Sequence, residues 1–339
     1  MADTNMPKAK DNRYWVGFDL GGTKMLATLF DPAFRPVAGK RRRTKGQEGV
    51  KAGVARVIET IHDVLSEAQV EPSQLGGVGM GCPGPLDLDR GILLDTPNLG
   101  WKNVPIKATI EKEFGCPAFI TNDVDAGVYG EYRFGAGQSA RCVLGVFPGT
   151  GIGGGCVYEG KILRGRTGSC MEIGHVEVVP NGQLCGCGRR GCLEAEASRL
   201  AISAAAATAV ARGEAPHLQT IAGTEIAKIR SSTLAKAIAE GDVVIEKIVR
   251  RAARQIGTAI AGTINLLSPD VVILGGGLVE AMPNLFLKVV RMTARKRVLP
   301  SFSRSFKVAL AKLGDDAVAM GAAAWAAQIV TSERRPGTQ

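Results

Sequence analysis

Short apolar runs separated by glycine-rich turns mark the first part of the chain. Residues 14–20 and 25–30 are such runs on either side of a turn from Gly21 to Lys24, and this pattern predicts a β-hairpin. Residues 48–69 instead carry apolar side chains three and four positions apart, which predicts one face of a helix. Further strands are predicted at 76–80 and 118–121, with a short helix at 105–114 between them.

The pattern of the first hairpin returns roughly 125 residues later, as a strand at 142–147, a turn at 148–155 and a strand at 156–158. This recurrence predicts one βββα unit used twice. Helices are predicted at 198–212 and 242–267, and a buried strand at 270–274. Another strand at 307–313 and a helix from residue 315 complete an alternation typical of an α/β protein.

Composition excludes several classes of protein. With 339 residues, 45% of them apolar, the chain is long enough for two domains and too hydrophobic to be disordered. No window of eighteen consecutive apolar residues exists, so no membrane-spanning helix is predicted. Because no apolar leader segment is seen and the eight cysteines suit a reducing compartment, we expect a cytoplasmic protein.

The formal charge of +10 raises the question of a nucleic-acid partner, and the densest basic run is Lys40 to Lys45. No aromatic side chains are interleaved with these cations, and no nucleic-acid-binding motif surrounds them. We therefore interpret the run as a solvated loop or the edge of a sheet, with a nucleic-acid patch as the weaker alternative.

One segment concentrates metal-binding chemistry. It supplies one imidazole and three thiols among glycines, the set that zinc prefers for a closed tetrahedral site. A buried thiol core is the weaker alternative because the segment is polar and glycine-rich, and the tight spacing argues against disulfides within it. Four protein ligands leave no open position, so this zinc is expected to be structural. The predicted ligands are His175, Cys185, Cys187 and Cys192.

Three glycine-rich turns could bring backbone N–H groups close to phosphate oxygens. Asp19 could in addition hold Mg²⁺, usually through water, and Thr23 could bond a phosphate. Ordinary turn chemistry is the alternative for each turn, and a surface position is the alternative for Lys24. The predicted nucleotide-binding residues are Asp19, Gly21, Gly22, Thr23 and Lys24, then Gly149, Thr150, Gly151 and Gly153, then Gly275, Gly276 and Gly277.

The chain resembles the ROK family of sugar kinases and repressors, within the actin/hexokinase-like superfamily. The resemblance rests on five segments that follow the family's order: residues 19–24, 122–123, 149–155, 172–175 and 185–194. It implies two ribonuclease H-like α/β domains with an active-site cleft between them and a zinc-bound loop. The implied division is a polar tail at 1–12, a smaller domain at 13–121 completed by the helix 315–330, and a larger domain at 122–314 with the zinc loop at 175–192.

The resemblance also implies an activity, the ATP- and Mg²⁺-dependent phosphorylation of a hexose at its 6-hydroxyl, with glucose the leading substrate and glycolysis the setting. Asp123 would be the general base, although an Asp here would also serve as a helix N-cap. One ring nitrogen of His175 would bind zinc and the other a sugar hydroxyl. For Glu172 and Glu194 the alternatives are a pair of surface acids or neutralisation of Arg189 and Arg190. The implied sugar-binding residues are Asn98, Asn122, Asp123, Glu172, His175 and Glu194.

Two alternatives to a glucokinase stay open at this point. Within the same class, the substrate could be an N-acetylhexosamine, fructose or mannose. From another class, the family includes sugar-responsive repressors, which carry an N-terminal helix-turn-helix module. Only about a dozen polar residues precede Tyr14, so the kinase is favoured. We expect no nucleic-acid or membrane partner, and a homodimer or homotetramer.

Overall fold

Two five-stranded sheets organise the chain, one in each of two units. The computed structural model describes residues 12–166, 168 and 170–333. One unit combines Met1–Arg133 with Asp315–Gln339, and the other is Phe134–Gly314. The predicted polar tail at 1–12, apart from Asn12, lies outside the described residues.

The first unit packs helices against a sheet whose strand order is β3-β2-β1-β4-β8. β1 pairs antiparallel with β2 and parallel with β4, and β4 pairs parallel with β8. A small second sheet, β5-β6-β7, lies beyond β4 in the sequence. The elements are β1 (Tyr14–Leu20), β2 (Lys24–Phe30), β3 (Pro36–Arg43), α1 (Val50–Ala68), β4 (Leu75–Cys82), β5 (Leu86–Asp87), β6 (Ile92–Thr96), β7 (Trp101–Val104), α2 (Ile106–Phe114), β8 (Ala118–Asn122) and α3 (Asp123–Phe134).

The second unit has a sheet ordered β11-β10-β9-β12-β13 and a larger set of helices. Although α8 has 25 residues, neither it nor any other described helix is long and apolar enough to cross a membrane. The elements are β9 (Cys142–Pro148), β10 (Ile152–Tyr158), β11 (Lys161–Ile162), α4 (Leu193–Ala197), α5 (Arg199–Ala211), α6 (Pro216–Ala222), α7 (Ser231–Ala239), α8 (Val243–Leu267), β12 (Val271–Leu274), α9 (Gly277–Ala281), α10 (Pro283–Arg297) and β13 (Lys307–Leu310).

The two sheets repeat one arrangement. In each, the first two strands form an antiparallel hairpin, the third strand lies beyond the second, and the fourth and fifth pair parallel on the far side of the first. Parallel pairing requires crossover connections, and helices supply them in both units. The predicted duplication of a βββα unit is therefore confirmed by the strand order.

The last helix, α11 (Ala317–Glu333), lies on the sheet of the first unit. Six of its buried residues are alanine, among them Ala319 and Ala322, so its backbone comes close to the strands beneath. A Cβ at Gly17 in β1 would overlap the carbonyl oxygen of Ala319, and one at Gly79 in β4 would overlap that of Ala322. The helix therefore docks only where these strands lack side chains.

The second hairpin differs from the prediction at its turn. Residues 148–155 were expected to form a loop, but only Gly149 to Gly151 lie between the strands, and Ile152 already belongs to β10. Gly154 pairs with Val146 in the ladder with β9, and a side chain is excluded there because a Cβ would lie 2.6 Å from the carbonyl oxygen of Met171. The glycines of this segment therefore serve close packing as well as turning.

The basic run at 40–45 overlaps β3, which is an edge strand, as one of the two interpretations predicted. Acidic side chains neutralise most of it. Arg42 contacts Asp63 at 2.6 Å, and Arg41 contacts Asp315 at 2.7 Å. Lys45 lies 3.3 Å from a carboxylate oxygen of Glu48. Because these cations are already paired, the run does not present a free basic patch.

We expect Gly79→Ala to lower the free energy of unfolding by about 2–3 kcal/mol, because the new methyl group would force α11 away from the sheet. Gly262→Ala is the matched control. Gly262 is exposed in α8 with no atom near an added Cβ, so alanine there should raise stability by about 0.5–1 kcal/mol. Urea denaturation of both variants checks the contrast, and equal effects would contradict the packing argument.

Candidate active site

The carboxyl ends of parallel strands bring two carboxylates to one edge of the first sheet. Asp19 in β1 pairs in register with Gly81 in β4, and Gly81 pairs with Thr121 in β8. Asp123 follows two residues after Thr121, and its Cα lies 3.4 Å from where a Cβ of Gly81 would be. Ligands of open α/β sheets bind outside such strand ends.

Burial raises the pKa of Asp19 to about 7, and the nearby Asp123 charge adds to the rise. Arg41 lowers this pKa and Asp315 raises it. Burial also raises the pKa of Asp123, against hydrogen bonds from backbone N–H groups and from the Asn122 side chain. Two partly buried carboxylates therefore share one site, where a cation or a proton would relieve their repulsion.

Asn122 performs the capping role that an Asp at the start of α3 could have taken. Its Oδ1 accepts hydrogen bonds from the N–H groups of Val124, at 2.9 Å, and Asp125, at 3.4 Å. Asp123 is the first residue of the helix, and its Oδ1 also accepts from Val124 N–H at 2.9 Å. The helix end thus orients the Asp123 carboxylate without depending on it for a cap.

The tip of the first hairpin is fixed by Thr44. The hydroxyl of Thr44 donates to the Gly21 carbonyl at 2.7 Å, and its N–H donates to the Thr23 carbonyl at 2.9 Å. Asn98, in the turn between β6 and β7, lies against the same tip, since a Cβ at Gly22 would be 2.9 Å from its Cβ. Thr23 and Lys24 are exposed. The first unit thus groups Asp19, the hairpin tip and Asn98.

Two of the predicted phosphate loops meet in the second unit. β12 runs parallel to β9, with Leu274 opposite Val146, so the glycines after β12 reach the end of β9. Gly276 has a φ of 79° and would place a Cβ 2.9 Å from the Pro148 carbonyl oxygen. Gly153, in contrast, lies within β10 opposite Phe147, beyond the turn. The turn at Gly149 to Gly151 and the loop at Gly275 to Gly277 are therefore neighbours.

Sequence reasoning missed Arg199, which holds the turn of the second hairpin. Its guanidinium donates to the Thr150 hydroxyl at 2.9 Å, and its N–H donates to the Gly149 carbonyl at 2.9 Å. Arg199 and Arg230 also line a cavity of about 870 Å³ that reaches Gly277. Arg199 and Thr150 are 49 residues apart in the sequence, so no local sequence pattern predicts their hydrogen bond. A cavity of this size with two arginines beside glycine loops suits an anionic ligand the size of a nucleotide.

The four predicted metal ligands come together in the second unit. Their ligand atoms all lie within 4.8 Å of one another. Cys185 Sγ is 3.7 Å from His175 Nδ1, and Cys187 Sγ is 3.7 Å from Cys192 Sγ. A tetrahedral ion with metal–sulfur bonds of about 2.3 Å requires ligand separations of roughly 3.5–3.8 Å. The donor set therefore fits a tetrahedral metal.

The four predicted metal ligands lie in different secondary-structure elements and loops. His175 is the last residue of a 3₁₀ turn, and Cys192 directly precedes α4. Cys185 and Cys187 lie in a tight loop between them. The Cys185 N–H closes this loop by donating to the Arg189 carbonyl at 2.7 Å. Hydrogen bonds from Arg189, through its backbone and then its side chain, lower the pKa of Cys187 to about 6. A thiolate is the form that binds metal.

The acidic residues of this region have separate tasks. Glu194 Oε2 accepts from Ile152 N–H at 2.9 Å, so this carboxylate lies against the second hairpin. Glu196, which the sequence did not single out, is buried and accepts from Gln183 N–H at 2.7 Å, thereby holding the metal loop. Glu172 is next to the His175 turn, and its carbonyl accepts from His175 N–H at 2.9 Å. The second unit thus groups His175, Glu172 and Glu194 near the Gly149 turn.

Comparison with known proteins identifies the family of this chain. The ROK family model matches residues 15–329, and the chain belongs to the ROK family. It is 36% identical to a glucokinase of Thermotoga maritima, over 94% of this chain and 97% of the relative. A xylose repressor of Caldicellulosiruptor bescii is 28% identical, over 92% of this chain and 77% of the repressor.

A solved structure of the same family has a similar fold. The ROK family glucokinase of Streptomyces griseus in complex with glucose and AMPPNP superposes with a TM-score of 0.78 at 33% identity. The match covers 93% of this chain and 99% of the other. The mixed α/β fold is therefore that of ROK sugar kinases.

The raised pKa of Asp19 predicts a specific pH dependence of stability. Between about pH 4 and pH 7 the folded carboxyl holds a proton that the unfolded chain has released, so the free energy of unfolding falls as pH rises through this window. Asp19→Asn cannot ionise and should lose less stability between pH 5 and pH 8 than the wild type, measured by urea denaturation without metal. The exposed Asp89→Asn should behave as the wild type. Identical slopes for all three proteins would contradict the burial argument.

Proposed function

We propose that this protein is an ATP-dependent hexose kinase that transfers the γ-phosphoryl group to the 6-hydroxyl of glucose. The observation that carries the proposal is the placement of Asp123 beside Asp19 at the carboxyl ends of parallel strands, in a chain of the ROK family. The similarity to glucokinases, one of them bound to glucose and AMPPNP, supports glucose over other hexoses.

Asp123 serves as the general base in this proposal. It accepts the proton of the 6-hydroxyl as that oxygen forms a bond to the γ-phosphorus, while the bond from this phosphorus to the β–γ bridging oxygen breaks and ADP leaves. A raised pKa suits the task, since a base works best when its pKa approaches the working pH. The Val124 N–H holds the carboxylate in a fixed orientation.

The nucleotide is bound by the glycine loops. We assign phosphate contacts to Gly21, Gly22, Thr23 and Lys24 of the first unit and to Gly149, Thr150 and Gly151 of the second, with Gly275 to Gly277 along the nucleoside. Gly153 is a weaker candidate because it lies inside a strand. Asp19 would hold Mg²⁺, which neutralises phosphate charge when bound. Its raised pKa fits this assignment, because a divalent cation would favour the ionised form.

Asn98, Asn122, Glu172, His175 and Glu194 form the sugar-binding set of the proposal. Amides and carboxylates suit hydroxyl groups, which donate to one and accept from another. The four-ligand cluster would hold a structural Zn²⁺, and the ligand distances support Nδ1 of His175 as the coordinating nitrogen. Metal binding at Nδ1 leaves Nε2–H to donate to a sugar hydroxyl.

We also propose that both units have the fold expected of such a kinase. The repeated strand order supports two ribonuclease H-like domains of the actin/hexokinase type. None of the eight cysteines, all of which the structure describes, forms a disulfide, which fits a cytoplasmic kinase that works in a reducing compartment.

A coupled ADP-release assay with ATP, Mg²⁺ and a panel of sugars tests the activity. We expect glucose to be turned over faster than mannose, fructose, N-acetylglucosamine or N-acetylmannosamine. Asp123→Asn should lower kcat by about 10²–10⁴-fold, because the amide cannot accept the proton. Asp89→Asn, an exposed carboxylate in a turn, should retain wild-type turnover.

Two outcomes would contradict this proposal. Full turnover by Asp123→Asn would remove the assigned base. Retention of duplex DNA at physiological salt, with no turnover of any sugar in the panel, would favour the repressor class to which the xylose repressor belongs.

Metal content tests the zinc site independently of activity. We expect one zinc per chain in freshly purified wild type and a loss of most of that zinc in Cys187→Ser, because three ligands bind far less tightly than four. Cys170→Ser is the control, since Cys170 lies outside the cluster. Elemental analysis without zinc in the wild type, or equal zinc in both variants, would contradict the assignment.

A further inference from the structure

Two helices of the second unit carry many cations and almost no carboxylates. α8 contains four cations and α10 contains five, whereas Glu246 is their single carboxylate. Nine cations and one carboxylate give the pair a formal charge of +8, against +10 for the whole chain. The cations are Lys247, Arg250, Arg251 and Arg254 in α8, and Lys288, Arg291, Arg295, Lys296 and Arg297 in α10.

This charge is not neutralised within the described part of the chain. Arg250 contacts Glu246 at 2.6 Å, but Arg254, Lys288, Lys296 and the other cations of the two helices form no ion pair with a described carboxylate. The basic strand β3 shows the opposite behaviour, since its cations are paired with acids. The two helices therefore present a free positive surface.

The cations surround a groove between the helices. α8 and α10 pack closely where Gly257 meets Thr293, so that a Cβ at Gly257 would be 2.7 Å from the Thr293 Cβ. Beside this contact the groove has a volume of about 350 Å³. Its lining is Arg250 and Arg254 from α8, with Lys288, Val289, Met292, Thr293, Lys296 and Arg297 from α10.

The spacing of these side chains concentrates positive potential along the groove. Arg250 and Arg254 are four residues apart, so their Cα atoms follow each other by about 6 Å along one wall. Lys288 and Lys296 bracket the opposite wall over two turns of α10. Like charges held this close repel one another, and an anion between the walls would relieve that repulsion.

We propose that this groove, the α8–α10 groove, binds a ligand with several closely spaced phosphate groups, an oligophosphate. Guanidinium groups match phosphate oxygens in a bidentate manner, and three arginines line the groove. The small volume of the groove suits a small ligand better than a protein surface. This site goes beyond the proposed kinase activity, and it shares no lining residue with the cavity beside Gly277.

Other polyanions fit the groove less well. No aromatic side chain is among the lining residues, so the platform on which nucleic-acid bases stack is missing there. Protein interfaces are depleted in lysine at their core, whereas two lysines line this groove. A second copy of the same face would set cations against cations, which excludes a symmetric contact through it.

Calorimetric titration with inorganic tripolyphosphate, in buffer without Mg²⁺, tests the proposal on the full chain. We expect the affinity to fall at least about tenfold between 50 and 200 mM salt, as charge-dominated phosphate binding does. The double variant Arg254→Glu with Lys296→Glu should bind at least about 30-fold more weakly, because two contacts become repulsive.

A double variant with the same charge change elsewhere in this unit is the control. Arg212→Glu with Lys161→Glu alters two exposed cations outside the groove and should bind as the wild type does. Any tripolyphosphate that binds at the glycine loops should bind equally to both double variants. The difference between their affinities therefore reports binding in the groove. If charge reversal impairs folding, seen as a loss of the cooperative thermal transition, Arg254→Gln with Lys296→Gln replaces it, with at least about tenfold weaker binding expected.

Three results would overturn the proposal. One is equal tripolyphosphate affinity in the groove variant and its control. Another is wild-type binding that does not respond to salt. The third is groove-dependent binding of an oligoglutamate peptide or a single-stranded oligonucleotide that is tighter than that of tripolyphosphate, because it would assign the groove to another class of partner.

Discussion

Close approach of α11 to strands without side chains is the constraint on which the first unit depends. Gly17 and Gly79 let the helix backbone lie directly on β1 and β4, which are neighbours in the sheet. The parallel pairing of the same two strands ends at Asp19 and Gly81, where the candidate active site begins. Packing over the middle of the sheet thus fixes the positions of the carboxylates at its edge. In this way α11 stabilises β1, although the two are far apart in the sequence.

Electrostatics at that edge follows from the packing. Asp19 and Asp123 are held near each other by backbone register, so neither can move away to reduce repulsion. Arg41 offsets part of the cost, and Asp315 in turn fixes Arg41. In the proposed kinase, Asp19 would hold a cation and Asp123 would accept a proton. A phosphoryl-transfer site needs both, which is why the arrangement favours a kinase.

Local sequence predicted most of the elements and several groups of candidate residues. The two hairpins and the Cys/His cluster depend on spacing over a few residues, which a sequence displays directly. Long-range partners were not predictable in this way: Arg41 meets Asp315 across 274 residues, and Arg199 reaches Thr150 across 49. The first residues of the strand that begins at Ile152 were predicted as a turn because their glycines suggest turns, whereas they pair with β9 and pack against Met171.

The distribution of charge also shows why local sequence does not predict long-range contacts. The run at 40–45 is the densest basic segment of the sequence, yet folding places carboxylates against it. The cations of α8 and α10 are spread over about fifty residues and look unremarkable in sequence, but helix periodicity and close packing at Gly257 gather them around one groove. The charge that matters for a ligand is the part left unpaired after folding. By that measure α8 and α10 present a surface attractive to anions, away from the segment that sequence alone would select.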